Sequence, residues 1–172
     1  MKSKLVNKKL LAAVGIGIVS IASQNANATG QEFSGKTTCY IFKNDKFSKK
    51  ASCTYTGLEF GSIRYNEISY DFKVPSVGKI STSVSVAAKT DKNGKMIEGK
   101  DGSVEYDDSE VTINGKPAHS QERYIAGYKV IAPELLQNGF EKFEKTGLSC
   151  MQSNDKKLEV CIPLKDGYLG GL

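Results

Sequence analysis

A chain of 172 residues carrying 24 Lys and Arg against 19 Asp and Glu is modestly basic, and most of that excess sits at one end. Lys2, Lys4, Lys8 and Lys9 precede an apolar run, and without them the chain is close to neutral. That balance gives no case for electrostatic nucleic-acid binding, which needs a concentrated basic face.

The N-terminus reads as an address. The four lysines form a basic stretch, Leu10 to Ala22 (LLAAVGIGIVSIA) is apolar, and Ala26-Asn27-Ala28 offers a small-x-small cleavage site before Thr29. A membrane span needs ~20 apolar residues, and this run is shorter. No cysteine follows it to carry a lipid. Residues 1–28 are therefore expected to be a cleaved signal peptide of bacterial type. Residues 29–172 are expected to form a single β-rich domain, periplasmic or secreted, with no transmembrane segment after cleavage. That length can bury a core of its own.

Thr29 to Lys36 is short and polar and reads as a loose start. Cys39 and Cys53 then bracket a strand, a turn at Asn44-Asp45-Lys46 and a returning strand. Cys150 and Cys161 bracket a similar unit around Asn154-Asp155-Lys156. These are the only 4 cysteines. In an exported chain they predict two local disulfides, Cys39–Cys53 and Cys150–Cys161, with the second pair directly opposite across its hairpin. No CxxC spacing supports a zinc site.

Gly57 to Gly61 punctuates the chain. The run ISYDFKV places Ile68, Tyr70, Phe72 and Val74 on one face and Ser69, Asp71 and Lys73 on the other. After Pro75-Ser76-Val77-Gly78, the residues Ile80, Thr82, Val84, Val86 and Ala88 repeat the period of two, with Ser81, Ser83 and Ser85 opposite. Two half-buried strands joined by a short turn predict an antiparallel meander. Asn93-Gly94 and Asn114-Gly115 each suit a type I′ hairpin turn. The segment between them, GKDGSVEYDDSE, reads as a solvated acidic loop, because it lacks the spacing of a calcium-binding loop. Arg123 to Ile131 is a further strand candidate. Pro133 opens the one helix, PELLQN, with Glu134 in its first turn and Gly139 to stop it. Phe140 to Lys145 fits either helix or strand. The glycines of KDGYLGGL predict a frayed tail.

The fold class expected is mainly β: a small antiparallel β-barrel or sandwich with one short helix and two local disulfides.

Little catalytic chemistry is on offer. The single histidine, His119, has Ser120 beside it, but sequence neighbours rarely make a triad and no G-x-S-x-G elbow exists. If both disulfides form, no thiol is left for Cys-His catalysis. A carboxylate pair for glycoside hydrolysis needs one desolvated acid, and Glu105, Asp107, Asp108 and Glu110 look wet. Phosphate-cradling loops are absent. No catalytic residue, metal or cofactor is assigned.

The leading expectation is an exported non-catalytic binding protein of the bacterial cell envelope, of inhibitor or immunity type, acting on an envelope or secreted protein partner. Tyrosines suit half-wet interaction faces, so the expected surface is Tyr40, Tyr55, Tyr65, Tyr70, Tyr124 and Tyr128 with the hairpin-tip lysines Lys46, Lys49 and Lys50. The lysines also suit a solvated hairpin end. One alternative is a small secreted hydrolase using His119 or the acidic loop. Another is a structural or adhesive surface component that self-associates through an open strand edge.

Overall fold

The structure is a computed structural model that describes residues 29–137 and 139–170. The expected signal segment lies outside the described residues, as do Asn138 and residues 171–172.

The two strictly alternating runs become neighbouring strands of one closed sheet. In chain order the strands are β1 (Thr29–Lys43), β2 (Lys46–Gly61), β3 (Tyr65–Val74), β4 (Gly78–Ala87), β5 (Glu110–Ile113), β6 (Lys116–Tyr124), β7 (Gly147–Ser153) and β8 (Glu159–Pro163). Each pairs antiparallel with its neighbours in sequence, and β1 closes on β8 through Tyr40–Phe42, so the architecture is an up-and-down barrel. Both expected disulfides are formed, and Cys150 stands directly opposite Cys161.

Alternation decides what lies inside. Phe72 and Val74 of β3 and Ile80 and Val84 of β4 point inward with Ile41, Ile113, Met151, Val160, Ile162 and the Cys39–Cys53 disulfide. Full burial of such a side chain contributes about 1.5–3 kcal/mol. The interior is filled by side chains. The outward residues of β3 and β4 are polar, the reverse of a lipid-facing barrel. No described helix is long and apolar enough to cross a membrane.

Several expectations change. The polar start at Thr29 is the first part of β1, and Gly57 lies within β2 rather than in a break. The two segments need each other. Phe33 pairs with Gly57, and Gly35 pairs with Tyr55. A Cβ on Gly57 would overlap the Phe33 ring, and one on Gly35 would come within 2.6 Å of Tyr55 Oη. Each aromatic ring thus covers the glycine of the facing strand.

The strand expected over Arg123 to Ile131 ends at Tyr124. The chain reverses through residues 125–128, where Gly127 and Tyr128 take φ of 76° and 56°, and returns so that Ile131 N–H donates to Glu122 O (2.8 Å). The expected helix is α1 (Pro133–Gln137), and Phe140–Phe143 forms a 3₁₀ turn, which settles that segment as helical. The acidic loop is partly ordered by bridges Ala88–Tyr106, Thr90–Met96 and Glu98–Val104. Its turn at Asn93-Gly94 is not type I′: only Gly94 has positive φ, and Asp91 Oδ1 accepts from the N–H groups of Asn93 (2.8 Å) and Lys95 (3.0 Å). The Asn114-Gly115 turn does have both φ positive, as expected.

The tail is seated rather than frayed. Leu169 is fully buried in the barrel core, and its N–H donates to Ser149 Oγ (2.8 Å). Asp166 Oδ2 accepts from Thr37 Oγ1 (2.7 Å). The tail is therefore anchored to β1 and β7 with Leu169 packed in the core.

Candidate functional site

The outer surface of the barrel has two unlike walls. On the wall made by β6, β7, β8 and the upper part of β1, every residue of β7 and β8 is buried. The covering comes from the β1–β2 turn and the 125–128 reversal. Tyr128 stacks on Phe47 with centroids 4.4 Å apart and meets Phe42 and Tyr40 edge-on. Beneath them Glu159, fully buried, accepts from Arg123 Nε (2.7 Å) and Gln121 Nε2 (2.8 Å) at Oε1, and from Arg123 Nη2 (2.8 Å) and Gln152 Nε2 (2.9 Å) at Oε2. Arg123 also donates to Tyr128 O and to Asp45 Oδ1. That last bond holds the Asp45 carboxyl below its ordinary range. The four bonds use the acceptor capacity of the Glu159 carboxylate, so this is a structural clasp.

The other wall, from the lower part of β1 across β5, is open. Strand register arranges its outward side chains in rows. One row reads Lys36, Thr54, Lys73, Lys79; the next Ser34, Thr56, Asp71, Ser81; the next Glu32, Leu58, Ser69, Ser83, Thr112. Beyond them Glu67, Ser85 and Glu110 face one another. The wall thus runs from lysines through hydroxyls to carboxylates. Ser81 Oγ donates to Asp71 Oδ1 (2.6 Å) and Lys79 pairs with Asp71 (2.9 Å), which together hold the Asp71 carboxyl below its ordinary range. Ser83 and Thr112 share a hydrogen bond of 2.9 Å.

Three adjoining grooves lie on this wall. One of about 700 Å³ is lined by the hydroxyl rows, including Ser34, Thr56, Ser69, Ser81 and Ser83. A second, of about 660 Å³, lies along Lys36, Thr54, Lys73 and Lys79. The third, of about 310 Å³, joins them between Ser34 and Lys73. A concave, hydrogen-bonding surface of this extent can hold an extended polar partner in many shallow contacts. Sequence alternation already placed Ser69, Asp71, Ser81 and Ser83 outward. What it did not give was the register that aligns them into rows.

The residues singled out from the sequence are scattered. Tyr40 and Tyr70 are buried, Tyr40 on the closed wall and Tyr70 in the core. Tyr55 packs on Tyr70, Phe33 and Phe72 inside the barrel. Tyr128 caps the closed wall, and Tyr124 meets Phe143. Only Tyr65 is exposed among the six, and its hydroxyl donates to Glu67 Oε2 (2.9 Å). These tyrosines do not form one outward surface. At the hairpin tip, Lys49 Nζ donates to Pro75 O (3.0 Å) and Ser76 Oγ (2.8 Å), tying the tip to the β3–β4 turn. Lys50 Nζ lies 5.2 Å from the Tyr40 ring centroid. Lys46 is exposed.

His119 lies on the outward side of β6, exposed, with its ring bonded to Asn154 Oδ1 (3.1 Å). Ser120 faces the other side of the strand, so the two are not brought together. Glu122 does have the desolvation a raised acid needs. Burial pushes its pKa above the ordinary carboxylate range, and burial together with the bond to Glu122 pushes the Tyr168 phenol up to about 12. Glu122 is buried, whereas Tyr168 belongs to the tail and is partly exposed, so the pair lies where the tail meets β6. Cys150, Glu159 and Cys161 cluster closely enough to suggest a metal, but the two sulfurs are bonded to each other and the carboxylate is committed to the clasp.

Comparison with protein-family models, with curated proteins and with solved structures finds no match for this chain.

Proposed function

We propose that this chain is an exported, non-catalytic binding protein of the bacterial cell envelope, and that it engages a protein partner as an inhibitor or immunity-type protein does. The open wall is the binding face. The observation that carries this reading is the run of adjoining grooves over aligned rows of hydroxyl, lysine and carboxylate groups. A rigid β face of this kind presents fixed donors and acceptors with little ordering cost. Two formed disulfides suit an oxidising compartment, and the apolar run with its cleavage pattern supplies the route there.

The test is affinity capture with the oxidised protein from envelope and medium extracts, followed by mass spectrometry. One dominant stoichiometric protein is the expected result. Capture of nothing at several salt concentrations would remove the protein-partner reading and leave a glycan or small-molecule ligand for the same face.

A further inference from the structure

Strand β1 is paired on both sides only near its upper end. Its ladder with β8 covers Tyr40–Phe42. In that register Pro163 would stand opposite Thr38, and proline has no N–H to continue the ladder. The chain then leaves β8 in the 3₁₀ turn Leu164–Asp166. Below this point β1 is paired with β2 alone among the described residues. One row of its backbone N–H and C=O groups faces outward, an open edge.

Natural edges are commonly blunted by charge, so the pattern of charge decides how this one behaves. From Glu32 to Lys36 the strand reads Glu-Phe-Ser-Gly-Lys. Turned antiparallel about Ser34, it is complementary to itself: Glu32 meets Lys36 twice, and Phe33 meets Gly35 twice. Within the chain neither charge is answered. The β2 neighbour of Glu32 is Leu58, that of Lys36 is Thr54, and neither residue is in an ion pair among the described residues. Phe33 and Gly35 would meet through backbone bonds alone, because within the chain the Phe33 ring already covers Gly57 and Tyr55 already covers Gly35. An edge guarded by charges of one sign would repel its own copy; this one attracts it.

We infer that the lower edge of β1 joins a second copy of this chain, antiparallel and centred on Ser34. The two-fold axis then passes between the two Ser34 residues, as an isologous interface requires. Because Ser34 and Glu32 line the hydroxyl groove and Lys36 the lysine groove, the dimer fuses the open walls of both copies into one continuous face. The inference concerns the edge and stands whatever the open wall binds.

Sedimentation velocity of the purified, disulfide-intact protein from about 1 µM to about 1 mM covers the affinities of weak edge contacts. A concentration-dependent dimer is expected. Glu32→Lys and Lys36→Glu each set like charges opposite each other twice, and each is expected to weaken the dimer at least about tenfold. The double variant E32K/K36E restores the opposite pairs and is expected to return near the original affinity, which also controls for misfolding. Directly opposed strand residues lie within disulfide range, so Ser34→Cys is expected to give a covalent dimer on oxidation and Gln31→Cys is not. A monomer throughout the concentration range, or a dimer indifferent to all three charge variants, would overturn the inference.

Discussion

Glu159 and Ser83 both point away from the barrel axis, yet one is fully buried and the other stands in an open groove. The difference lies in what covers the sheet. Over β7 and β8 the β1–β2 turn and the 125–128 reversal fold down, and Asp45, Tyr128 and Phe47 roof the wall. Over β3 and β4 nothing in the described chain does so. The closed wall therefore spends its polar groups on one another, whereas the open wall leaves lysines, hydroxyls and carboxylates turned outward. Polar residues on the outside of a sheet can thus mean structure or recognition, and burial separates the two.

The sharpest way to break this comparison is to remove the clasp. Glu159→Ala leaves Arg123 buried without its carboxylate, and removing one partner of a buried pair costs about 3–5 kcal/mol. Urea unfolding of the variant is expected to show a loss of that size. A loss under about 1 kcal/mol would mean the closed wall is held by packing alone. Next in size is the covalent pin on the same wall. Replacing Cys150 and Cys161 together by alanine opens a short loop and is expected to cost about 2–4 kcal/mol in the same assay.

Behind the open wall the interior is less well satisfied. The buried Thr82 hydroxyl has no hydrogen-bond partner among the described residues. Thr82→Val is expected to raise unfolding free energy by about 1 kcal/mol, since it removes an unmet polar group at nearly constant volume.

The smallest effect depends on pH. Burial raises the Glu122 pKa, so the folded protein holds this proton more tightly than the unfolded chain. That contribution is fully present below the ordinary carboxylate range and is lost as pH rises through the folded-state value. Glu122→Gln stays neutral throughout. Its Tm is expected to exceed that of the parent by more at about pH 8 than at about pH 4, and an equal difference at both would count against a desolvated acid.

Legibility followed the same division. β3 and β4 could be read directly, because one face is core and the other wet, and their alternation is strict. The cysteine hairpins were legible through their turn residues and spacing. β7 and β8 carry no such alternation, since both of their faces are buried, and the polar members of the clasp look like surface residues until Arg123, Gln152 and Glu159 are brought together. The pairing of residues 29–36 with 54–61 was hidden for another reason. Gly35 and Gly57 weaken each segment alone, and only the facing Tyr55 and Phe33 make them strands. Tyrosine content pointed to a surface, but Tyr40 is buried under the closed wall's cover and Tyr70 in the core, and the rows of the open wall are rich in serines and threonines instead. The tail misled through its glycines, because Leu169 supplies an anchor that composition does not reveal.

The most direct test of the central claim sets the two outer features against each other in one capture experiment. A groove variant, Ser69→Arg with Ser83→Arg, fills the open wall, and a tip variant replaces Lys46 and Lys50 by glutamate. Envelope and medium extracts are passed over the parent and both variants, each with unfolding checked in urea. The account predicts that the dominant protein retained by the parent is also retained by the tip variant and is lost from the groove variant. Retention by the groove variant with loss from the tip variant would contradict it.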